Sequence, residues 1–416
     1  MKAENLLIIF LVLRFSQHLA ERWLAYKNKN YFTNPAFQKK AKTALQIDDA
    51  EMAKTVAYSL DKYKFSQISS WVSVFLSLGF IYFGGLGAAE ALAGAITGSP
   101  IAKGLLFLGI LVALSALVDL PFDYYHTFKL EERHGFNKQT LAGFIKDRLK
   151  GAILGSVLFG LIIGVILYLM ENLDHWWVYA WLSMFGLQLV LAWLYPTFLA
   201  PLFNKFSPLP EGELKNSLMS LAEKVKFDAS SISVMNASIR SSHGNAYFTG
   251  VFGKKKIVLF DTLIEAMGSK EICAVLAHEL GHFKLHHIRW SMIRGFFIIG
   301  LSFYLLQAAM AAAPFYKAFA LEGVSNYAAL AVFSLWFSPL SFAFTPISNM
   351  LSRRNEFAAD NFAMKHIHDK RTLGDALLKL RAKSHGMPIS HPLFSMVYHS
   401  HPPLLERLEA MGYTRT

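Results

Sequence analysis

His278 and His282 stand four residues apart, with Glu279 between them, in the stretch Ala274–Trp290. On a helix, positions i and i+4 share one face, so both imidazoles can reach a single zinc ion at about 2.0–2.1 Å. Glu279 lies about 100° round the helix, placed to act on a water without binding the metal. It can take the proton of that water and later pass it to a leaving amine. The chemistry this pattern suits is zinc-assisted peptide hydrolysis. Its bland alternative is a pair of surface histidines at the end of a membrane helix.

A catalytic zinc takes three protein ligands and a water. His286 is close in sequence but about 12 Å beyond His278 along a straight helix, so it cannot join the pair. It reads, with His287, as an interfacial polar residue. The third ligand must come from another element. Glu356 and Asp360 form an i, i+4 acidic pair in Ser352–Ala363. Either Glu356 completes the site and Asp360 orients a histidine through its free N–H, or both pair with Arg353 and Arg354.

The elements that must position these residues are largely membrane-embedded. Of 416 residues, 54% are hydrophobic and only 17% charged, against about 25% charged in soluble domains. A net charge of +12 could suggest nucleic acid in a soluble protein. In a membrane protein it reads as basic loops facing anionic lipid, and no nucleic-acid-binding motif is visible. The single cysteine, Cys273, excludes an intramolecular disulfide framework.

A spanning helix needs about 20 apolar residues. The candidates are Leu6–Leu24, Ile68–Leu86, Leu105–Phe122, Ala152–Met170, Trp176–Phe203, Met292–Ala312 and Tyr327–Ile347. The first is read as a retained helix, because Arg14 interrupts the apolar run and no signal-peptidase-like site follows before Lys27. Pro196 and Pro201 predict a break in the fifth. Lys and Arg crowd the segments after spans one, three, five and seven, and are nearly absent from Ala89–Pro100, Glu171–His175 and Ala313–Ser325. The positive-inside rule therefore puts the N-terminus outside, and the histidine motif and C-terminus in the cytoplasm.

Two polar segments are large enough to fold. In Asn204–Arg289, a helix is expected near Gly212–Phe227 and a strand over "SISVMNAS". Two more strands are expected around a turn at Gly253 and Lys254, then the motif helix from about Lys270. Leu351–Thr416 is expected to be mostly helical, with a proline-rich break. Consecutive spans six and seven should be antiparallel neighbours, whose cytoplasmic ends bring Glu356 beside His278 and His282.

At this point the chain resembles a family, the type I CAAX prenyl proteases, which are integral-membrane zinc endopeptidases of the gluzincin kind. The resemblance rests on Phe128–Thr140 ("FKLEERHGFNKQT"), Gly244–Gly250 ("GNAYFTG"), "HELGH", "SRRNEFAAD" and His399–Leu408 ("HSHPPLLERL"), in matching order. It implies one zinc per chain on His278, His282 and Glu356, with Glu279 catalytic. It places Asn245, Ala246 and Tyr247 on a strand that pairs with the substrate backbone, and His401 near the scissile carbonyl, with Arg407 supporting the same region. From residue type alone, Asn245 could equally be a turn residue, and His401 and Arg407 a solvated helix start.

The expected fold is an α-helical multi-pass membrane protein of about seven transmembrane helices, with a small α+β zincin-like metalloprotease domain on the cytoplasmic side. The resemblance adds a water-filled chamber enclosed by the helices. Residues 1–204 would form the N-terminal membrane domain and 205–416 the metallopeptidase domain with two further spans. The implied reaction removes the C-terminal tripeptide after a prenylcysteine, on a peptide or prenylated-protein substrate, by a single chain in the lipid bilayer. Short outer loops and the lack of a KDEL-type tail are compatible with a bacterial homologue. The membrane would then be the bacterial inner membrane, and in a eukaryote the endoplasmic reticulum. Bacteria generally lack prenylated CAAX proteins, so a membrane-protein processing or quality-control protease without prenyl specificity is the enzymatic alternative. A zinc-stabilised transporter or channel, with Arg14, Glu90 and Asp119 as membrane charges, is the non-enzymatic one.

Overall fold

Among the described residues, seven helices are long and apolar enough to cross a membrane, and they carry a small mixed domain between and after them. The structure is a computed structural model that describes residues 2–249, 255–310 and 312–413. In chain order the helices before the sheet are α1 Ala3–Thr33, α2 Pro35–Leu45, α3 Asp49–Tyr82, α4 Gly85–Ile96, α5 Pro100–Tyr125, α6 Leu141–Asn172, α7 Trp176–Leu194 and α8 Ala200–Phe203. The sheet region comprises β1 Phe206–Pro208, α9 Glu213–Lys224, β2 Ala229–Met235, β3 Ala246–Thr249 and β4 Lys255–Phe260. Then follow α10 Asp261–Ala266, α11 Ser269–Lys284, α12 His287–Ala309, α13 Ala313–Lys317, α14 Asn326–His366, α15 Arg371–Ser384, α16 Pro392–Tyr398 and α17 Leu404–Ala410.

Local chemistry sets several boundaries. Asp48, Thr140 and Ser325 each turn a side-chain oxygen onto a free N–H at the start of α3, α6 and α14, which satisfies a donor the helix cannot. Glu271 reaches back to the Gly268 N–H at 2.8 Å and opens the motif helix α11. The second expected span does not reach Leu86. It ends at Tyr82, because Gly84 adopts φ +76°, a left-handed conformation glycine takes without penalty. The chain restarts as α4, a short helix the apolar pattern did not separate. The break expected in the fifth span is a π-helical segment, Tyr195–Leu199, containing Pro196. A second π segment, His126–Glu131, follows Pro121 in α5.

The far end of the bundle, away from the motif helix, is where the spans pack on one another. Leu6 and Phe10 of α1, Phe107 of α5, Leu167 of α6 and Ala328 of α14 share one core with Phe319. Glu90 of α4 is buried there and accepts hydrogen bonds from Tyr327 Oη at 2.8 Å and the Glu322 N–H at 2.9 Å. At most 28% of any span's most apolar stretch is buried within the protein, so most of each stretch faces outward, as a lipid-facing helix surface does.

The sheet has four strands in the order β1-β2-β4-β3, with β2 parallel to β4 and the other pairs antiparallel. The sequence reading lacked β1, a three-residue strand ending in Pro208. Such a strand has too few residues for a pattern, and proline confines it to an edge. The turn expected at Gly253 and Lys254 lies outside the described residues. Ile257, Leu259, Leu276 and Leu280 are buried in one core that binds the sheet to α11. A further core joins Phe32, Leu45 and Met52 from the chain's start to Leu378, Leu405 and Leu408 near its end.

Candidate active site

The site forms where α11 lies against α14. Gly281 makes the approach possible, since a Cβ there would sit 3.1 Å from Ala359 Cα and 3.2 Å from Ala359 O. Helix α14 is 41 residues, about 60 Å at 1.5 Å per residue, so one element both spans the membrane and carries Glu356 and Asp360 into the folded domain. Ligand atoms of His278, His282 and Glu356 all fall within 4.8 Å of one another. His278 Nε2 lies 3.2 Å from His282 Nε2 and 3.4 Å from Glu356 Oε2, and His282 Nε2 lies 3.3 Å from Glu356 Oε1.

These residues fit a zinc ion. Two atoms each about 2.0–2.1 Å from a tetrahedral ion sit about 3.3 Å apart, close to the three separations found. The opposite ring nitrogens are also held. His278 Nδ1 lies 2.8 Å from Asp360 Oδ1, and His282 Nδ1 lies 3.0 Å from His287 Nδ1. With those nitrogens protonated, both Nε2 lone pairs face one point. Glu356 is buried, and its Oε2 has no hydrogen-bond partner, an expense that a cation would remove.

The electrostatics agree. Burial disfavours a charged ring at His278, but the adjacent carboxylates of Asp360 and Glu356 prevail and raise its pKa to about 9. The pocket thus favours positive charge at this point. Burial raises the pKa of Glu279 against the pull of His278 and His282, which brings a carboxylate nearer the range useful for proton transfer.

Around this centre the structure places the remaining expected residues. Arg407 is buried and grips Asp360 with two bonds, Nε to Oδ2 at 2.9 Å and Nη2 to Oδ1 at 2.6 Å. It is therefore not a solvated helix start. His401 Nε2 stands 3.3 Å from Glu356 Oε1 on a side chain 65% exposed, with Nδ1 held 2.9 Å from Ser400 Oγ. Ala246 and Tyr247 open the edge strand β3, which packs near α11, while Asn245, expected on the strand, stands one residue before it. The Asn245 carbonyl accepts from the Phe260 N–H at 3.0 Å. By antiparallel alternation, the backbone groups of Phe248 and the Ala246 carbonyl then turn away from β4. Asn245 itself spends its Oδ1 on the Ala246 N–H.

Other residues meet the site in ways that their sequence context does not suggest. The α11 helix ends at Lys284, and His286 takes φ +59° in the turn before α12, so the straight-helix assumption fails there. His286 still stays out of the ligand group, and the turn swings His287 back onto His282. Arg353 does not pair with the acidic residues. Its Nη1 donates to the carbonyls of Ser395 and His399 at 2.8 Å each, and Asn349 Nδ2 to that of Val397 at 2.6 Å. Both hold the end of α16, from which the chain runs to His401. A signal existed: 349, 353, 356 and 360 recur at the spacing of one helical face. Glu131, at the end of the π segment His126–Glu131, accepts from Tyr58 Oη at 2.6 Å and lies 3.4 Å from His243 Nε2, two residues before Asn245.

A buried His-His-Glu cluster, on helices continuous with or joined to membrane spans, defines a multi-pass membrane metallopeptidase. The family model for the CAAX prenyl protease N-terminal region, with five membrane helices, matches residues 32–205, and the model for peptidase family M48 matches residues 208–415. The chain belongs to peptidase family M48. It is 37% identical over 374 residues to an Arabidopsis thaliana CAAX prenyl protease 1 homolog, covering 88% of each chain. It is 36% identical to a CAAX prenyl protease 1 homolog of Homo sapiens, covering 88% of this chain and 87% of that one. A crystal structure of Ste24p from S. mikatae matches with a TM-score of 0.91 at 34% identity, covering 99% of this chain and 100% of that chain.

Proposed function

We propose that this chain is a CAAX-type zinc endopeptidase, which removes the C-terminal tripeptide following a prenylated cysteine. The observation that carries this reading is the convergence of His278, His282 and Glu356, in a chain similar over most of its length to proteins named for that activity.

One zinc per chain would be held by those three side chains. Zinc in such a site supplies Lewis acidity, which polarises a carbonyl and makes water easier to deprotonate. Glu279 takes the proton of the attacking water and delivers it to the leaving amine. Asp360, locked by Arg407, keeps His278 in the tautomer whose Nε2 faces the centre. His401, on the open side of Glu356, is placed to donate to the developing oxyanion. The outward backbone groups of β3 pair with an extended substrate, adding a strand to the sheet edge. The likeness to Ste24p over nearly the whole chain supports helices that enclose a water-filled interior, through which a lipid-bearing peptide reaches this edge. The charge pattern supports a cytoplasmic catalytic face, and a single chain holds every group the reaction uses.

The test offers purified protein a farnesylated CAAX peptide and its unprenylated twin, with products read by mass spectrometry. Cleavage directly after the prenylcysteine, and preference for the farnesylated peptide, are expected. Equal rates on both peptides would reject prenyl specificity, and absence of any cleavage with zinc bound would reject the peptidase.

A further inference from the structure

Beside the edge strand, where α7 and its π segment meet the first turn of α12, the surface holds a groove of about 480 Å³. Tyr195, Pro196, Ile288 and Met292 contribute apolar walls, and Tyr247 and Phe248 form the end toward the sheet. Its charged lining is Lys255 and Arg289, joined by His286, and no carboxylate lines it among the described residues. The Lys255 ammonium lies 4.0 Å from the centre of the Phe283 ring and 5.1 Å from that of Phe227. Lys284 brings a second ammonium to 5.9 Å from the same Phe283 ring. Like charges gathered on one aromatic patch repel, and a bound anion relieves that repulsion.

The location narrows the anion. The groove opens where two spans meet the folded domain, and exposed Trp193, Phe198 and Trp290 stand on the same helix ends. Tryptophan concentrates at the membrane–water boundary. An apolar trough whose charged lining is cationic suits an amphiphile with hydrocarbon tails and an anionic head. We propose that this groove binds an anionic phospholipid, with its phosphate diester at Lys255 and Arg289 and its tails along Tyr195, Pro196, Ile288 and Met292. A peptide added to β3 takes its hydrogen bonds from the strand's backbone, whereas the polar groups of this groove are cationic side chains. A bare prenyl chain has no charge to match them.

The full-length protein in neutral detergent can be titrated with dioleoyl phosphatidylglycerol or dioleoyl phosphatidylcholine and followed by native mass spectrometry. One phosphatidylglycerol should be retained per chain, with a preference over phosphatidylcholine of about tenfold or more that weakens as salt rises. K255Q/R289Q should lose that preference while keeping metal content and thermal midpoint, and K39Q/K40Q on α2 should keep it. R289Q alone alters only an exposed residue, so it tests the site even if the double variant misfolds, and it should weaken retention. Equal retention of the two lipids, or undiminished phosphatidylglycerol retention by R289Q, would overturn the proposal. One-for-one displacement of the lipid by a CAAX peptide would overturn it too, by assigning the groove to substrate.

Discussion

His278 depends as much on what grips its far nitrogen as on what its near nitrogen faces. Asp360 holds Nδ1 at 2.8 Å, and Arg407 in turn holds Asp360 by two bonds. Replacing Asp360 by Asn keeps the size but removes the charge that fixes the tautomer. D360N should therefore weaken zinc binding by about 10- to 100-fold, measured by competition with a chelator. E279Q separates chemistry from binding: zinc content should stay at one per chain, while kcat falls by about 10²–10⁴-fold. Retained peptidase activity in a clean E279Q preparation would falsify the role given to Glu279. Arg353 belongs to the same scale. Its contacts are all to backbone carbonyls near His401, so R353Q should lower kcat by misplacing His401 and leave zinc content unchanged. The histidine pair was legible in residue types and spacing, and Glu356 was legible only as one of two readings. Arg353 was not, because an arginine beside two carboxylates reads first as their ion-pair partner.

Between elements, the closeness of α11 and α14 decides whether the site exists at all. Gly281 faces Ala359 with no room for a larger side chain. G281V should destabilise the fold by about 1–3 kcal/mol through overpacking, and it should lower zinc affinity with it. Thermal unfolding and metal titration on one preparation would show both, and unchanged values would mean the helices can part without loss. The edge strand has its own support. Glu131 connects Tyr58 of α3 to His243, and Phe136 stacks on His243 with ring centres 4.7 Å apart. E131Q should therefore raise KM for a peptide substrate more than it lowers kcat, with zinc content intact. The motif "FKLEERHGFNKQT" was legible as a string, but its contact with His243 spans 112 residues of sequence, and no local periodicity encodes such a contact.

At the scale of the molecule, a metal held by His278, His282 and Glu356 would tie the sheet domain to the last membrane span, since two of these residues lie on α11 and one on α14. A ligand that binds only the folded state stabilises it by about 4 kcal/mol when present at a thousand times its Kd. A chelator should therefore lower the thermal midpoint of the native protein and leave that of E356A nearly unchanged. The opposite end is pinned without metal, by Glu90 against Tyr327 and the Glu322 N–H.

Seven spans, their charge asymmetry and a zinc motif with its candidate third ligand follow from the chain alone. Apolar length, loop charge and i, i+4 spacing are properties of neighbouring residues, and helix geometry converts them directly into faces and crossings. The division of α3 from α4, the short strand β1 and the return of His287 onto His282 were decided by the tertiary structure. Each depends on a backbone turn or a strand partner that gains its energy only once distant segments have met. The same holds for the choice between the two fates of Glu356 and Asp360. Sequence left them free to pair with nearby arginines, and packing at Gly281 put them against His278, with Arg407 delivered from the far end of the chain.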